Sequence, residues 1–119
     1  MAVNLEEFAK ALEALRQGIA APKSDLSRDA SIQRFEFCVE LGWKAARRVM
    51  GTSTSAPRAV IREMARNGLI EDVEFWLQAI ENRNLSSHTY KEALAEEVYA
   101  YAKEFLPRAL DLLDRLRSS

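Results

Sequence analysis

IQRFEFCVELGWKAAR, residues 32–47, is the stretch that determines the fold. Its apolar side chains, with those of the three residues that follow, cover well over half of the circumference of a helix. A helix that is apolar around most of its surface is buried on most sides. We therefore predict that this segment is a helix buried on most sides and that it continues to about Met50; we refer to it as the central helix.

A single polar stripe interrupts the apolar surface of this central helix. The stripe consists of Gln33, Glu36, Glu40, Lys44 and Arg47. It also contains Phe37, an aromatic side chain at a position where solvent would be expected. Two interpretations remain open: Phe37 packs under a loop, which we favour, or it contacts a second subunit.

The segment before the central helix is predicted to hold one amphipathic helix and a connection. Apolar residues recur at intervals of three and four and predict a helix over residues 4–19. Asn4 and Glu7 have the spacing of a capping box at its start. Residues 21–30 are mostly polar and contain Pro22, so we predict that they form a connection.

The segment after the central helix begins with a predicted loop, GTSTS at residues 51–55. Ser55 is a candidate N-cap, and Pro57 suits the first turn of a helix because its missing N–H would have no partner there. A third helix is therefore predicted near residues 56–66. Gly68 suits the left-handed position that ends a helix.

Two more helices are predicted in the second half of the chain. Asp72 can cap a fourth helix that ends near Arg83. Thr89 and Glu92 have the spacing of a second capping box, which would begin the last helix. Pro107 lacks an N–H and clashes with the preceding turn, so we predict a kink or a break just before it.

These segments predict an all-α fold, an antiparallel bundle of about five helices. No alternating strand pattern is present, and 119 residues with 48% hydrophobic side chains are enough for one packed core, so residues 1–119 are predicted to form a single domain. Trp43 and Trp76 both fall on apolar stripes, and we predict that both are core residues.

The charge balance limits the classes of partner. The chain has 17 Lys and Arg against 18 Asp and Glu, so it has no general attraction for nucleic acid or for an anionic membrane. We find neither a basic leader followed by an apolar run nor a membrane-spanning segment, and we expect a cytoplasmic protein. The single cysteine, Cys38, lies in an apolar helical pattern and is expected to pack as a small hydrophobe.

RNLSSHTY, residues 83–90, contains the only histidine. Arg83 at the end of one helix and His88 and Tyr90 at the start of the next would converge on one corner. The free N–H groups of the last helix would favour an anion there, Arg83 could add a guanidinium contact and His88 could move a proton. The alternative is structural: Arg83 complements a helix dipole and His88 is an ordinary surface residue.

Residues 83–90 resemble the Arg, four residues, His, one residue, Tyr signature of HEPN domains, which are small helical bundles of prokaryotes. Residues 32–47, 55–72 and 76–90 together resemble the nucleotidyltransferase substrate-binding protein family, a HEPN-like group. This resemblance implies a helical protein that partners a separate minimal nucleotidyltransferase. The partner would use Mg²⁺ and a nucleoside triphosphate, and this chain would need no cofactor.

The resemblance also implies roles for the residues of the signature. Arg83 and His88 would be catalytic. Asn84, Ser87 and Tyr90 would bind substrate or nucleotide, or in the case of Tyr90 be modified. No residues with the spacing of a metal site are assigned.

Two functions fit this resemblance. The first is a substrate-binding, non-catalytic subunit that binds nucleotide or acceptor substrate and docks the transferase chain. The second is a metal-independent HEPN ribonuclease toxin of a toxin-antitoxin pair, neutralised when the partner adenylylates Tyr90. A third reading, a structural dimer with an inert corner, is also open.

The ribonuclease reading places two demands on the chain. RNA cleavage through the 2′-hydroxyl needs a base, an acid and a cation near the phosphate, and one chain has one histidine. A homodimer would double the supply, and the extensive apolar surface of the central helix predicts a homo-oligomer. An RNA track is also needed. Arg58, Arg62 and Arg66 form a basic row that we interpret first as a solvated helix face and second as that track.

Overall fold

The computed structural model describes residues 4–119, which form five α-helices and one short 3₁₀ turn. The described residues contain no strand, and the predicted all-α fold of five helices is confirmed. A 3₁₀ turn, Ser86–His88, joins the last two helices. The helices are α1 (Glu6–Ala20), α2 (Asp25–Met50), α3 (Pro57–Arg66), α4 (Val73–Leu85) and α5 (Glu92–Arg117).

The burial predicted for α2 on most of its sides is confirmed, because α2 contacts all four other helices. An aromatic cluster joins it to α4 and α5. The ring of Phe35 lies edge-on to Tyr101 and to Phe105, with ring centroids 5.7 and 5.1 Å apart. Trp76 meets Phe105 from α4 at 5.2 Å. Trp76 and Trp43 are both buried, as predicted.

The contact between α1 and α2 depends on two glycines. A Cβ atom at Gly18 would lie 2.7 Å from the hydroxyl of Ser31, and one at Gly42 would lie 3.2 Å from the ring of Phe8. The Arg34 guanidinium also donates to the carbonyl of Ala14 at 2.8 Å. Small residues at these crossings therefore let the two helices approach closely.

The N-terminal ends of α1 and α2 differ from the predictions. Asn4 accepts a bond from the N–H of Glu6 at 2.8 Å, but α1 has no side-chain cap, so the Asn4–Glu7 capping box is wrong. The predicted connection at 21–30 is too long. It ends at Ser24, because Ser24 and Ser27 form a reciprocal capping box that begins α2 seven residues earlier than the apolar pattern indicates.

The ends of α3 are predicted correctly in part. Pro57 is its first residue, and Gly68 has the left-handed backbone expected after a helix, with φ of +74°. Ser55 is not the N-cap, however. Ala56 occupies that position without a side-chain hydrogen bond, since Pro57 already removes one of the donors that a cap would satisfy.

The predicted start of α4 is confirmed, whereas the predicted start of α5 is wrong. Asp72 accepts from the N–H of Phe75 at 3.0 Å. Thr89 and Glu92 do not form a capping box: Lys91 is the N-cap of α5 and has no side-chain bond. Thr89 donates instead to the carbonyl of Ser86 at 3.1 Å. Glu92 is engaged by an arginine of α2.

Of the kink or break predicted before Pro107, the break is wrong, because α5 continues from Glu92 to Arg117. Pro107 itself is exposed, while Phe105 and Ala109 on either side of it are buried. Packing of this apolar face offsets the loss of one backbone hydrogen bond. None of the helices in residues 4–119 is long and apolar enough to cross a membrane.

Phe37 does not pack under a loop, so the interpretation that we favoured is wrong. Its side chain is 53% exposed on the outer face of α2. Leu26 is 82% exposed near the start of the same helix. The outer face of α2 therefore presents two large apolar side chains to solvent.

Candidate functional site

Arg83 lies in the last turn of α4 and faces α2. Its Nη2 atom is 2.8 Å from Oε1 of Glu40, and its side chain is still 41% exposed. Lys44, one turn further along α2, lies 3.5 Å from the other carboxylate oxygen of Glu40. Glu40 therefore holds Arg83 against α2 while part of the guanidinium remains open to solvent.

Hydroxyl groups shape the segment that follows Arg83. Ser86 is buried and donates to the carbonyl of Arg83. Ser87 is exposed and donates to the carbonyl of Asn84 at 3.1 Å. With the bond from Thr89 to Ser86, each hydroxyl of this segment reaches back three residues. These bonds stabilise the 3₁₀ turn that carries the chain from α4 to α5.

His88 and Tyr90 project from the end of this segment. Their rings meet edge to face, with centroids 6.0 Å apart and planes at 71°. His88 is exposed and Tyr90 is 78% exposed. Tyr90 was predicted in the first turn of the last helix, but it lies two residues before α5. Because Tyr90 lies outside the helix, its phenol is accessible to solvent.

The five predicted site residues thus occupy one continuous corner of the fold. Asn84 is exposed, and its side-chain oxygen lies 3.5 Å from Nη1 of Arg83. We refer to residues 83–90 as the motif corner. It combines a cation, an imidazole, a phenol and polar groups, which is the set of side chains that binds phosphate and moves protons.

The start of α5 differs from the anion site that the sequence predicted. No side chain caps its free N–H groups, so a positive helix end does face the motif corner. Glu92 occupies the first turn, however, and brings a carboxylate to that end. The carboxylate of Glu92 therefore opposes the helix dipole at that end, while Arg83 and the exposed Lys91 are the cationic side chains at the two ends of the corner.

Sequence reasoning missed the role of Glu40. The residue was placed correctly on the polar stripe of α2, but its partner Arg83 is 43 residues away in the chain. Its position on that stripe was the available signal, and it does not identify the partner. Ser86, the buried residue of the motif corner, gave no signal in the sequence.

Other predicted features outside the corner can be placed. Arg58, Arg62 and Arg66 are exposed on α3, and Arg58 pairs with Glu81, which agrees with a solvated helix face. Cys38 is fully buried, and burial raises the pKa of its thiol to about 12. Its expected role as a small internal hydrophobe is confirmed. The described residues contain no group of histidine, cysteine and acidic side chains that could hold a metal ion.

The chain is 35% identical over 95 residues to Probable ribonuclease HepT of Haemophilus influenzae, an alignment that covers 73% of this chain and 65% of the relative. The chain thus spans just under two thirds of that relative's length.

Two solved structures have the same fold over nearly the whole chain. A Thermus thermophilus protein, 32% identical, superposes with a TM-score of 0.87 over 92% of this chain and 98% of its own. A Haemophilus influenzae protein, 30% identical, superposes with a TM-score of 0.86 over 96% and 99% of the two chains. That second structure is described as the fold of a substrate binding domain of a nucleotidyltransferase.

The family comparison covers almost every residue. A family model described as nucleotidyltransferase substrate binding protein like matches residues 3–118. The match includes residues 32–47, 55–72 and 76–90, the three segments on which the sequence resemblance rested. The chain therefore belongs to the nucleotidyltransferase substrate binding protein like family.

Proposed function

We propose that this chain is the substrate-binding subunit of a two-component nucleotidyltransferase, in which it binds nucleotide or acceptor substrate at the motif corner and docks a separate transferase chain. The observation that carries the proposal is the exposure of Tyr90 and His88 beside a half-exposed Arg83. The family match and the description of the Haemophilus influenzae structure support the same function.

Each residue of the corner has a task in this proposal. The open part of the Arg83 guanidinium contacts a phosphate, and His88 donates a hydrogen bond to it or transfers a proton. Asn84 and Ser87 supply further polar contacts. Tyr90 places its ring or its hydroxyl beside the base or the acceptor. The divalent metal and the nucleoside triphosphate would be bound by the partner transferase.

A second function, ribonuclease activity, is favoured by the similarity to Probable ribonuclease HepT. In such a reaction the 2′-oxygen of RNA attacks phosphorus, and the bond to the 5′-oxygen breaks. A base removes the proton of the 2′-hydroxyl, and an acid protonates the leaving 5′-oxygen, which leaves a cyclic phosphate and a 5′-hydroxyl. His88 could perform one of these transfers, with Arg83 stabilising the charge on phosphorus.

A homodimer would supply the second histidine, and the outer face of α2 supports one. Phe37 lies at the middle of this helix, and the exposed Leu26 lies three turns before it on the same face. Antiparallel packing of two copies about Phe37 would bury both Phe37 rings and place each Leu26 against the last turns of α2 in the other copy. Self-complementarity of this kind is what a two-fold interface requires.

This arrangement would also bring two motif corners together. Glu40, which anchors Arg83, is three residues from Phe37 on α2. With a rise of about 1.5 Å per residue, the two Glu40 positions of an antiparallel pair would be separated by roughly 9 Å along the helices. Both copies would then contribute to one composite site.

Co-expression of this chain with a small nucleotidyltransferase encoded beside it, followed by intact-mass measurement, tests the proposed function. A stable complex with unmodified chain supports the binding subunit. A mass increase of one or more adenylyl groups, absent in Tyr90→Phe, supports the ribonuclease reading. Absence of both a complex and a modification would contradict both functions.

A further inference from the structure

Arg28, on the second turn of α2, is a buried charge at the edge of the motif corner. Its side chain is only 4% exposed. Four carboxylates surround it: Nε lies 3.1 Å from Asp29, while Nη1 lies 3.1 Å from Glu96, 3.7 Å from Asp25 and in direct contact with Glu92. These ion pairs, with Glu92 the strongest, raise the pKa of Arg28 above its ordinary value.

The two partners that are most distant in the sequence, Glu92 and Glu96, lie in the first two turns of α5. Glu92 is the first residue of that helix, and Glu96 follows one turn later on the same face. Lys23 also binds Glu96, at 2.7 Å. Because no side chain caps α5, the contact with Arg28 is the main polar attachment of its first turn to the body of the protein.

The motif corner is consequently attached to α2 at both of its ends. Arg83 before the 3₁₀ turn pairs with Glu40, and Glu92 after it pairs with Arg28. The two anchor positions are twelve residues apart on one continuous helix, about 18 Å along its axis. His88 and Tyr90 lie between the anchors, where their own side chains are exposed and contribute little packing.

The local balance of charge also indicates that Arg28 supports the motif corner. Without Arg28, the carboxylates of Glu92 and Glu96 would face each other at helical i,i+4 spacing, where like charges repel. Their negative potential would also oppose an anion at the corner. Arg28 thus has a geometric effect and an electrostatic effect at the same place.

We propose that Arg28 is a positioning residue for the motif corner: by holding the start of α5 against α2, it keeps His88 and Tyr90 in the arrangement that receives a phosphate. The proposal rests on the proposed function of the corner. Arg28 does not contact the ligand. It acts through Glu92 on the segment that does.

The test compares Arg28→Met with a matched control at the other end of α5, Arg115→Met. Arg115 pairs with Glu71 at 2.8 Å and with Asp111 at 3.0 Å, so its replacement also removes two ion pairs from α5. The readouts are the nuclear Overhauser effect between the His88 and Tyr90 rings and the Kd for AMP as a probe. Glu92→Gln, at an exposed position, provides a second variant that breaks the same contact.

We expect Arg28→Met and Glu92→Gln to lose the ring contact and to weaken AMP binding by roughly tenfold or more, the size of effect found when the outer-shell partner of a metal ligand is removed. Arg28→Lys, which keeps the charge, should retain part of the ring contact and part of the affinity for AMP. Arg115→Met should change neither. A retained ring contact in Arg28→Met, or an equal loss in Arg115→Met, would overturn the proposal.

The two proposals fail in different ways. If the wild-type protein does not bind AMP but Arg28→Met still loses the ring contact that Arg115→Met retains, the positioning role stands and nucleotide binding fails. If the wild-type protein binds AMP and Arg28→Met binds it equally well, the positioning role fails and nucleotide binding stands.

Discussion

The aromatic core and the motif corner are held together by different forces. Phe35 and Phe105 in the core have no exposed surface, and their rings pack edge to face. The corner has one buried side chain, Ser86, and is attached by the charged pairs of Arg83 and of Arg28. The core therefore accounts for most of the stability, and the side chains of the corner are available for binding.

The largest expected effect is in the core. Phe35→Ala should lower the free energy of unfolding by about 3–5 kcal/mol, because it removes a fully buried ring and leaves a cavity beside Tyr101. Urea denaturation measures the change. Gln33→Ala, two residues away but exposed, is the matched control and should change stability by less than about 0.5 kcal/mol. Similar losses in both variants would mean that α2 is rotated from the orientation described above.

Within the corner, Ser86 should have the largest effect on stability. Ser86→Ala removes a buried hydroxyl that donates to the carbonyl of Arg83, and should cost about 1 kcal/mol by urea denaturation. Ser87→Ala removes an equivalent but exposed bond to Asn84 and should cost less. Equal losses in the free energy of unfolding would show that burial of the Ser86 hydroxyl adds nothing to the strength of its hydrogen bond.

The ligand-facing residues should have little effect on folding. Arg83→Ala removes a half-exposed ion pair and should change the free energy of unfolding by about 1 kcal/mol or less. His88→Ala should leave the melting temperature nearly unchanged. Both should impair partner binding or ribonuclease activity. Loss of several degrees in melting temperature with function intact would identify the corner as a structural hydrogen-bond network.

A small effect is expected in acid, at the cap of α4. The N–H of Phe75 and then Arg108 lower the pKa of Asp72 in the folded protein. Because the pKa of Asp72 is lower in the folded protein than in the unfolded chain, its ionised carboxylate stabilises the fold at pH values above the unfolded pKa, which is about 4. This stabilisation is lost as the pH falls through the folded pKa. Between pH 5 and pH 2, the melting temperature of the wild type should therefore fall more steeply than that of Asp72→Asn. Parallel curves would assign the acid sensitivity to other groups.

Sequence periodicity predicted the core correctly and the polar attachments poorly, for a physical reason. Apolar spacing reports which helix face is buried, and it identified α2, Trp43 and Trp76. It does not report burial that depends on charge pairing. Arg28 is buried among carboxylates of α2 and α5, an environment that apolar spacing does not reveal, and the polar first turns of α2 were taken for a connection.

At the end of the motif corner, a tertiary contact overrides the local sequence pattern. Thr89 and Glu92 have the spacing of a capping box, yet Glu92 bonds to Arg28, which is 64 residues away in the chain. The partner of Arg83 was missed for the same reason. The resemblance to a known family located the corner itself, since one histidine among polar residues would not have distinguished a site from a surface loop.

The two anchors of the motif corner differ in the number of ion pairs that hold them, and ionic strength should therefore act on them unequally. Salt weakens ion pairs that are open to solvent, and the carboxylates of both anchors are partly exposed. Arg83 depends on Glu40 alone, whereas Arg28 contacts four carboxylates. Rising salt should therefore detach the end of the corner that follows α4 before it detaches the end that precedes α5.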